Sequence, residues 1–215
     1  MKIAEGLYGF IWQDSSANNC NTFLITGQGA KGAVLIDPGH QHLFRHVAEG
    51  LEKIKVPLSD ISLVLITHGH PDHMEAMKLL KETAKIAIGE ETYNFLQKYG
   101  YSSFFPEPDL FLAEGSLRAG DISLEVIPAP GHEPGSICFY WSDRKVLFTG
   151  DVIFSQGIGR TDLPGGSGGA LKESIRKLAQ LDVEYLLPGH GMPVIGKKAV
   201  EDNFRMVMNY WFQYI

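Results

Sequence analysis

The sequence predicts an α+β protein in which helices pack on sheets, and three observations carry that expectation. Short apolar runs of strand length alternate with amphipathic stretches of helical period. One run, residues 63–67, is almost unbroken in its apolar character, as a strand covered on both faces should be. A length of 215 residues at 44% hydrophobic content suffices for one substantial core, so one domain over residues 1–215 is the expected organisation.

From the N-terminus, residues 21–26 and 33–36 read as short apolar strands separated by a Gly-rich turn, and residues 41–54 as an amphipathic helix. After the strand at 63–67 a helix is expected from near Asp72 to about Thr83. Further strands are expected at 85–88, 122–127, 136–141, 145–149 and 185–187. Two late helices follow from stripes at helical spacing, Leu171, Ile175, Leu178 and Leu181 in the first and Val200, Phe204, Val207, Met208 and Trp211 in the second. The aromatic end of the second, Tyr210, Trp211 and Phe212, can pack on the chain's own core or on another subunit, so monomer and homodimer both stay open. Residues 101–114, with Phe104, Phe105, Pro106, Pro108 and Phe111, read as a surface loop partly packed on the core, with a substrate lid as the alternative.

Charge and composition narrow the partners. The chain has 25 acidic and 19 basic residues, a formal charge of −6, and its cations are dispersed, which argues against nucleic acid or an anionic membrane. The N-terminus carries Lys2 but is interrupted by Glu5, Gly6 and Gly9, and no apolar run is of spanning length, so a cytoplasmic protein is expected. Cys20 and Cys138 form no CxxC pair and cannot make a disulfide scaffold. They read as buried apolar residues, although Cys138, six residues after His132 on an expected strand, could approach a site there.

The chemistry concentrates where strands end. Thr67-His68-Gly69-His70-Pro71-Asp72-His73 follows directly on an apolar strand. His68 and His70, two apart in extended chain, can point the same way, and Pro71 can turn the backbone so that Asp72 and His73 face the same volume. Three more candidates sit in Gly-containing sequence after strands: His132 in APGHEPGS, Asp151 in FTGD and His190 in LPGHG. Side chains at neighbouring strand ends converge on one sheet edge, and five histidines with two aspartates can supply two metals. Imidazole and carboxylate without thiolate suit Zn, Fe(II), Mn or Co and argue against a purely structural zinc site.

This pattern resembles the metallo-β-lactamase superfamily, and Gly159-Arg160-Thr161-Asp162-Leu163-Pro164-Gly165-Gly166 is similar to a stretch of its short glyoxalase II-like branch of hydroxyacylglutathione hydrolases. The match spans about Asn19 to Gly191. The resemblance implies a four-layer αββα sandwich with two divalent metal ions at one edge, zinc first among them and iron or manganese also compatible. It implies His68, His70 and His132 on the first metal, Asp72, His73 and His190 on the second, and Asp151 bridging, with Asp72 and Asp151 in the catalytic machinery. Asp37, in LIDPG, matches a family aspartate behind the site that would accept a hydrogen from a ligand imidazole. The activity implied is hydrolysis of a small-molecule thioester such as an acylglutathione, by attack of a hydroxide that bridges the metals.

Arg160 has two readings, a fork for a substrate carboxylate or an ion pair with Asp162 or another acid that pins its loop; the resemblance favours substrate contact, since glutathione carries two carboxylates. Larger glyoxalase II enzymes bind the thiol partner partly through an added C-terminal helical domain, whereas this chain ends shortly after its final helix. The reaction type is therefore specified more narrowly than the substrate. A mononuclear iron persulfide dioxygenase using His68, His132 and Asp151 is the alternative, and a non-enzymatic metal-binding protein a second one, opposed by the complete and thiolate-free ligand set. His42 and His46 are four apart on the expected helix but lack the glutamate of HExxH, so they read as a solvated face. His40, close to Asp37 in sequence, could act near the site.

Overall fold

The computed structural model describes residues 1–27 and 32–215, so the Gly-rich turn expected between residues 26 and 33 falls largely outside the described residues. The first half of the chain builds a seven-stranded sheet in the order β1 (Lys2–Ala4), β2 (Leu7–Phe10), β3 (Thr22–Ile25), β4 (Ala33–Ile36), β5 (Ile61–Ile66), β6 (Lys85–Gly89) and β7 (Leu110–Leu112). Pairing is antiparallel from β1 to β4 and parallel from β4 to β7. The parallel crossovers carry α1 (Arg45–Lys53), the short α2 (Pro71–Met74) and α3 (Met77–Leu80), and α4 (Glu90–Lys98). The second half forms β8 (Gly115–Ala119), β9 (Ile122–Pro128), β10 (Ile137–Trp141), β11 (Val146–Gly150), the small hairpin β12 (Ile153–Phe154) and β13 (Gly157–Ile158), α5 (Gly168–Leu178), β14 (Tyr185–Pro188), β15 (Val194–Ile195) and α6 (Lys197–Tyr210). All of these strands except the hairpin make a six-stranded sheet in the order β15-β14-β11-β10-β9-β8.

Strand periodicity sorts the apolar side chains into three layers of core. On β4, Val34 and Ile36 face the second sheet while Leu35 faces the helices of the first half. On β10, Ile137 and Phe139 face the first sheet while Cys138 and Tyr140 lie under α5 and α6. Phe23 and Phe148 meet between the sheets with ring centroids 5.7 Å apart. The result is helices, sheet, sheet, helices: the αββα sandwich.

The single helix expected over 72–83 is instead two short ones, interrupted at Glu75 and Ala76. Tertiary partners take its backbone bonds. Cys20 N donates to the Asp72 carbonyl at 3.3 Å, Gly39 N to that of His73 at 3.2 Å, and Ala76 N to the Gly39 carbonyl at 2.8 Å. Those contacts outcompete the i to i−4 ladder. Residues 101–114 are likewise not all loop, because β7 pairs there with β6. Phe105 packs on the first-half core, whereas Phe104 and Phe111 are exposed.

Cys138 does not reach towards a site; it is fully buried in the core under α5 and α6, its Sγ 3.7 Å from the Thr149 carbonyl. At the C-terminal end, Trp211 and Phe212 pack on the chain's own core and Tyr210 is exposed. Among the described residues no helix is long and apolar enough to cross a membrane.

Candidate metal centre

The C-terminal ends of β4, β5, β9, β11 and β14 bring Asp37, the His68–His73 segment, His132, Asp151 and His190 to one edge of the sandwich. Glycines allow the tight convergence. Gly150 holds a left-handed φ of 47° just before Asp151, and at Gly189 any Cβ would fall on Asp151 Oδ1 and His73 Cε1.

All seven candidate ligands meet there. His70 Nδ1 lies 3.1 Å from His68 Nε2 and 2.9 Å from His132 Nε2. On the other side, His190 Nε2 lies 3.3 Å from both His73 Nε2 and Asp72 Oδ2. Asp151 stands between the groups, with Oδ1 3.2 Å from His73 Nε2, and Oδ2 3.6 Å from His132 Nε2 and 3.4 Å from His190 Nε2. Two trios of donor atoms thus flank a shared carboxylate.

The hydrogen bonds behind the rings determine which nitrogens face inward. His73 Nδ1 lies 2.9 Å from Asp37 Oδ2, which accepts only if that nitrogen carries the proton. The Thr67 hydroxyl donates its one hydrogen to Asp37 Oδ2 at 2.7 Å, so towards His68 Nδ1, 3.0 Å away, it accepts. His132 Nδ1 donates to the Arg160 carbonyl at 2.7 Å. In each case Nε2 is left as a lone pair pointing into the cluster. Thr67 N also donates to Asp37 Oδ1, at 2.9 Å, and Asp37 itself sits at a left-handed φ of 52°, which Asp tolerates better than most residues.

Lone pairs facing one another across about 3 Å repel unless a cation lies between them. The electrostatics express the same demand. Burial would lower His73, but Asp151 and Asp37 raise it well above the ordinary histidine value. Burial is also outweighed at His190, which Asp151 and Asp72 push up to about 9. Asp72 and Asp151 are held well below the usual carboxylate range despite burial, by His190 and His73 at the first and by His73 and His190 at the second. At the three-histidine end, burial and the neighbouring rings lower His68 and bring His70 to about 4, keeping their nitrogens free to coordinate. Asp151 Oδ1 is buried with no hydrogen-bond partner. A donor set of this kind fits divalent cations of the zinc, iron or manganese class.

Several neighbours of the cluster carry no signal in the sequence. Asn18 Nδ2 donates to Asp72 Oδ2 at 2.8 Å. Glu133, only 2% exposed, accepts from Gly69 N at 2.8 Å and so props the backbone between His68 and His70. Burial pushes its carboxyl up to about 7. The Phe154 ring stands edge-on to His190 at 5.9 Å, on a hairpin tied to α6 by Asn203. Only the adjacency of Glu133 to His132 could have pointed to any of them.

Arg160 approaches the centre through its backbone carbonyl, while its guanidinium forms a fork with Asp162 at 2.8 and 2.7 Å on an exposed loop. His40 turns away from the cluster to Glu75, and His42 is exposed. His46 stands edge-on to Trp12 at 5.3 Å.

Comparison with known proteins agrees with this architecture. The sequence profile described as the metallo-beta-lactamase superfamily matches residues 16–190. The chain is 36% identical to the hydroxyacylglutathione hydrolase GloC of Haemophilus influenzae, over 75% of this chain and 81% of that one. It is 34% identical to a Methanocaldococcus jannaschii protein named as a probable metallo-hydrolase, over 80% and 87% of the two chains. Among solved structures, TTHA1623 in a di-iron-bound form superposes with a TM-score of 0.66 at 28% identity, covering 85% of this chain and 91% of that one. With four-fifths of its length under the family profile, the chain belongs to the metallo-beta-lactamase superfamily.

Proposed function

We propose that the protein is a metal-dependent hydrolase that carries two divalent cations, zinc first among the candidates, and cleaves a small-molecule thioester such as an acylglutathione. The observation that carries this reading is the shared carboxylate: Asp151 lies between the trio His68, His70 and His132 and the trio Asp72, His73 and His190. In this reading the first trio would hold one cation and the second trio the other, with Asp151 placed to be shared by both. When bound, such cations lower the pKa of water towards neutrality and polarise a carbonyl.

The chain's own side chains do the rest. Asp37 holds the proton on His73 Nδ1 directly and that on His68 Nδ1 through Thr67, so both rings keep their inward lone pairs throughout turnover. Asn18 orients Asp72 by donating to Oδ2, the oxygen that also faces His190. Phe154 offers an apolar edge beside His190 against which an acyl group can lie. Arg160 can exchange Asp162 for a substrate carboxylate without moving the backbone that supports His132. Neither cysteine competes as a nucleophile, since burial raises both thiols well above their ordinary range. The likeness to GloC supports a glutathione thioester over other acyl compounds.

The test is metal content together with turnover on protein purified without chelators or added metal. Two metals per chain and hydrolysis of S-lactoylglutathione, both reduced in D151N, are expected. Activity confined to lactones or phosphodiesters would remove the thioester. One iron per chain with oxygen consumption on a glutathione persulfide would replace hydrolysis by dioxygenation.

A further inference from the structure

Outside the seven-residue cluster, the structure gathers a second group of metal-type side chains. His40 Nδ1 lies 2.9 Å from Glu75 Oε2, and His42 Nδ1 lies 4.0 Å from the same oxygen. The two imidazole rings stand 5.0 Å apart between centroids, inclined at 45°. These three donor atoms fall within 4.8 Å of one another and share no residue with the trios around Asp151.

We propose that His40, His42 and Glu75 form a separate binding site for one divalent transition-metal ion of the zinc class, held by two imidazoles and one carboxylate with the remaining positions open to water. At Zn–N and Zn–O distances of about 2.0–2.1 Å, tetrahedral ligand atoms stand roughly 3.3 Å apart. The observed 2.9 and 4.0 Å bracket that edge, and rotation of His42 about its side-chain bonds closes the difference. His42 is free to make it, with 68% of its side chain exposed. Two imidazoles and a carboxylate with an open face are a ligand set that zinc uses, and one that magnesium and calcium, which prefer oxygen, do not.

The backbone beneath the group is held without help from any ion. His40 N donates to Asn19 Oδ1 at 2.8 Å, and Gln41 N donates to Glu75 Oε2 at 3.1 Å. Gly39 is tied on both sides to the segment bearing Glu75, through the His73 carbonyl and Ala76 N. Two of the three ligands are therefore positioned in advance, and an ion orders only His42. That lowers the entropic cost of binding compared with three free surface side chains. An ion there would clamp the turn after Gly39 to the break between α2 and α3, the segment that also carries Asp72 and His73. The consequence is stabilisation of that segment by a cation that takes no part in the chemistry.

The alternative is that His40 and Glu75 are simply an ion pair and His42 a solvated histidine. Calorimetric titration decides between them, using zinc chloride added to protein whose tighter sites are already filled and from which excess zinc has been removed. One further equivalent is expected, weakened at least tenfold or lost in H42A, whose exposed side chain can be removed without disturbing the core. Thermal melting gives a second readout: the additional zinc raises the Tm of the wild type and leaves that of H42A where it was. No further equivalent in the wild type, or the same affinity and Tm shift in H42A, would overturn the site. Neither readout involves hydrolysis, so the result stands apart from the substrate assignment.

Discussion

Oδ2 of Asp37 lies 2.9 Å from Nδ1 of His73 and accepts from the Thr67 hydroxyl at 2.7 Å, so one buried carboxylate sets the tautomers of two rings in the centre, His73 directly and His68 through Thr67. D37N would present an amide that cannot accept from all three of its present donors. The expected outcome is a loss of about 10- to 100-fold in metal affinity with the fold retained. Competition with a chromophoric chelator, alongside far-ultraviolet circular dichroism, measures both.

Gly189 is the close-approach point of the site. A Cβ there would overlap Asp151 Oδ1 and His73 Cε1, and the backbone cannot retreat because Gly189 N donates to Gly150 O at 2.8 Å and its carbonyl accepts from Asn21 N at 2.6 Å. G189A is expected to lose at least half of the bound metal and to lower turnover by ten-fold or more. Elemental analysis after gel filtration checks the first part; full metal content in G189A would contradict it.

Glu133 gives a pH dependence with a definite sign. Its carboxyl rises from an ordinary 4.5 to about 7, burial being the cause. The folded state therefore holds this proton more tightly than the unfolded state, and its contribution is most favourable below pH 4.5 and is lost as pH climbs through 7. The loss amounts to roughly 3 kcal/mol across that window. In E133Q the amide oxygen still accepts from Gly69 N, but nothing ionises. Urea denaturation of chelator-treated protein at pH 5 and pH 8 should show the wild type losing stability relative to E133Q at the higher pH.

Asn203 on α6 accepts from Gln156 N at 2.8 Å and donates to the Phe154 carbonyl at 2.9 Å, fastening the β12–β13 hairpin from within. N203A leaves two backbone groups without partners, at a cost of about 2 kcal/mol. It also loosens Phe154 against His190. A lower urea midpoint and a raised KM with a smaller change in kcat are expected; an unchanged KM would mean that Phe154 does not touch substrate.

The mixture of sheets and covering helices and the seven candidate ligands are legible in the sequence because both depend on local pattern, whereas the four-layer order came from the family resemblance. Apolar alternation of period two marks β9, an unbroken apolar run marks β10, and helical stripes mark α5 and α6. Histidines and aspartates followed or preceded by glycine at strand ends announce their convergence. Short edge strands such as β1 and β15 carry too few residues for a period, and their existence depends on partners far along the chain.

Residue type, order and spacing along the chain thus determined that helices pack on sheets and which residues are candidate ligands, and the four-layer sandwich followed from the family resemblance those residues carry. Long-range contacts decided the rest. Backbone bonds from Cys20 and Gly39 split the helix after Asp72. The Arg160 carbonyl turned to His132, a contact the sequence did not show, while its guanidinium took the neighbouring Asp162 that the sequence had offered. His42 came beside His40 and Glu75 rather than pairing with His46. Each of these outcomes depends on hydrogen-bond competition between groups that the fold alone brings within 3 or 4 Å, and linear sequence carries no measure of that distance.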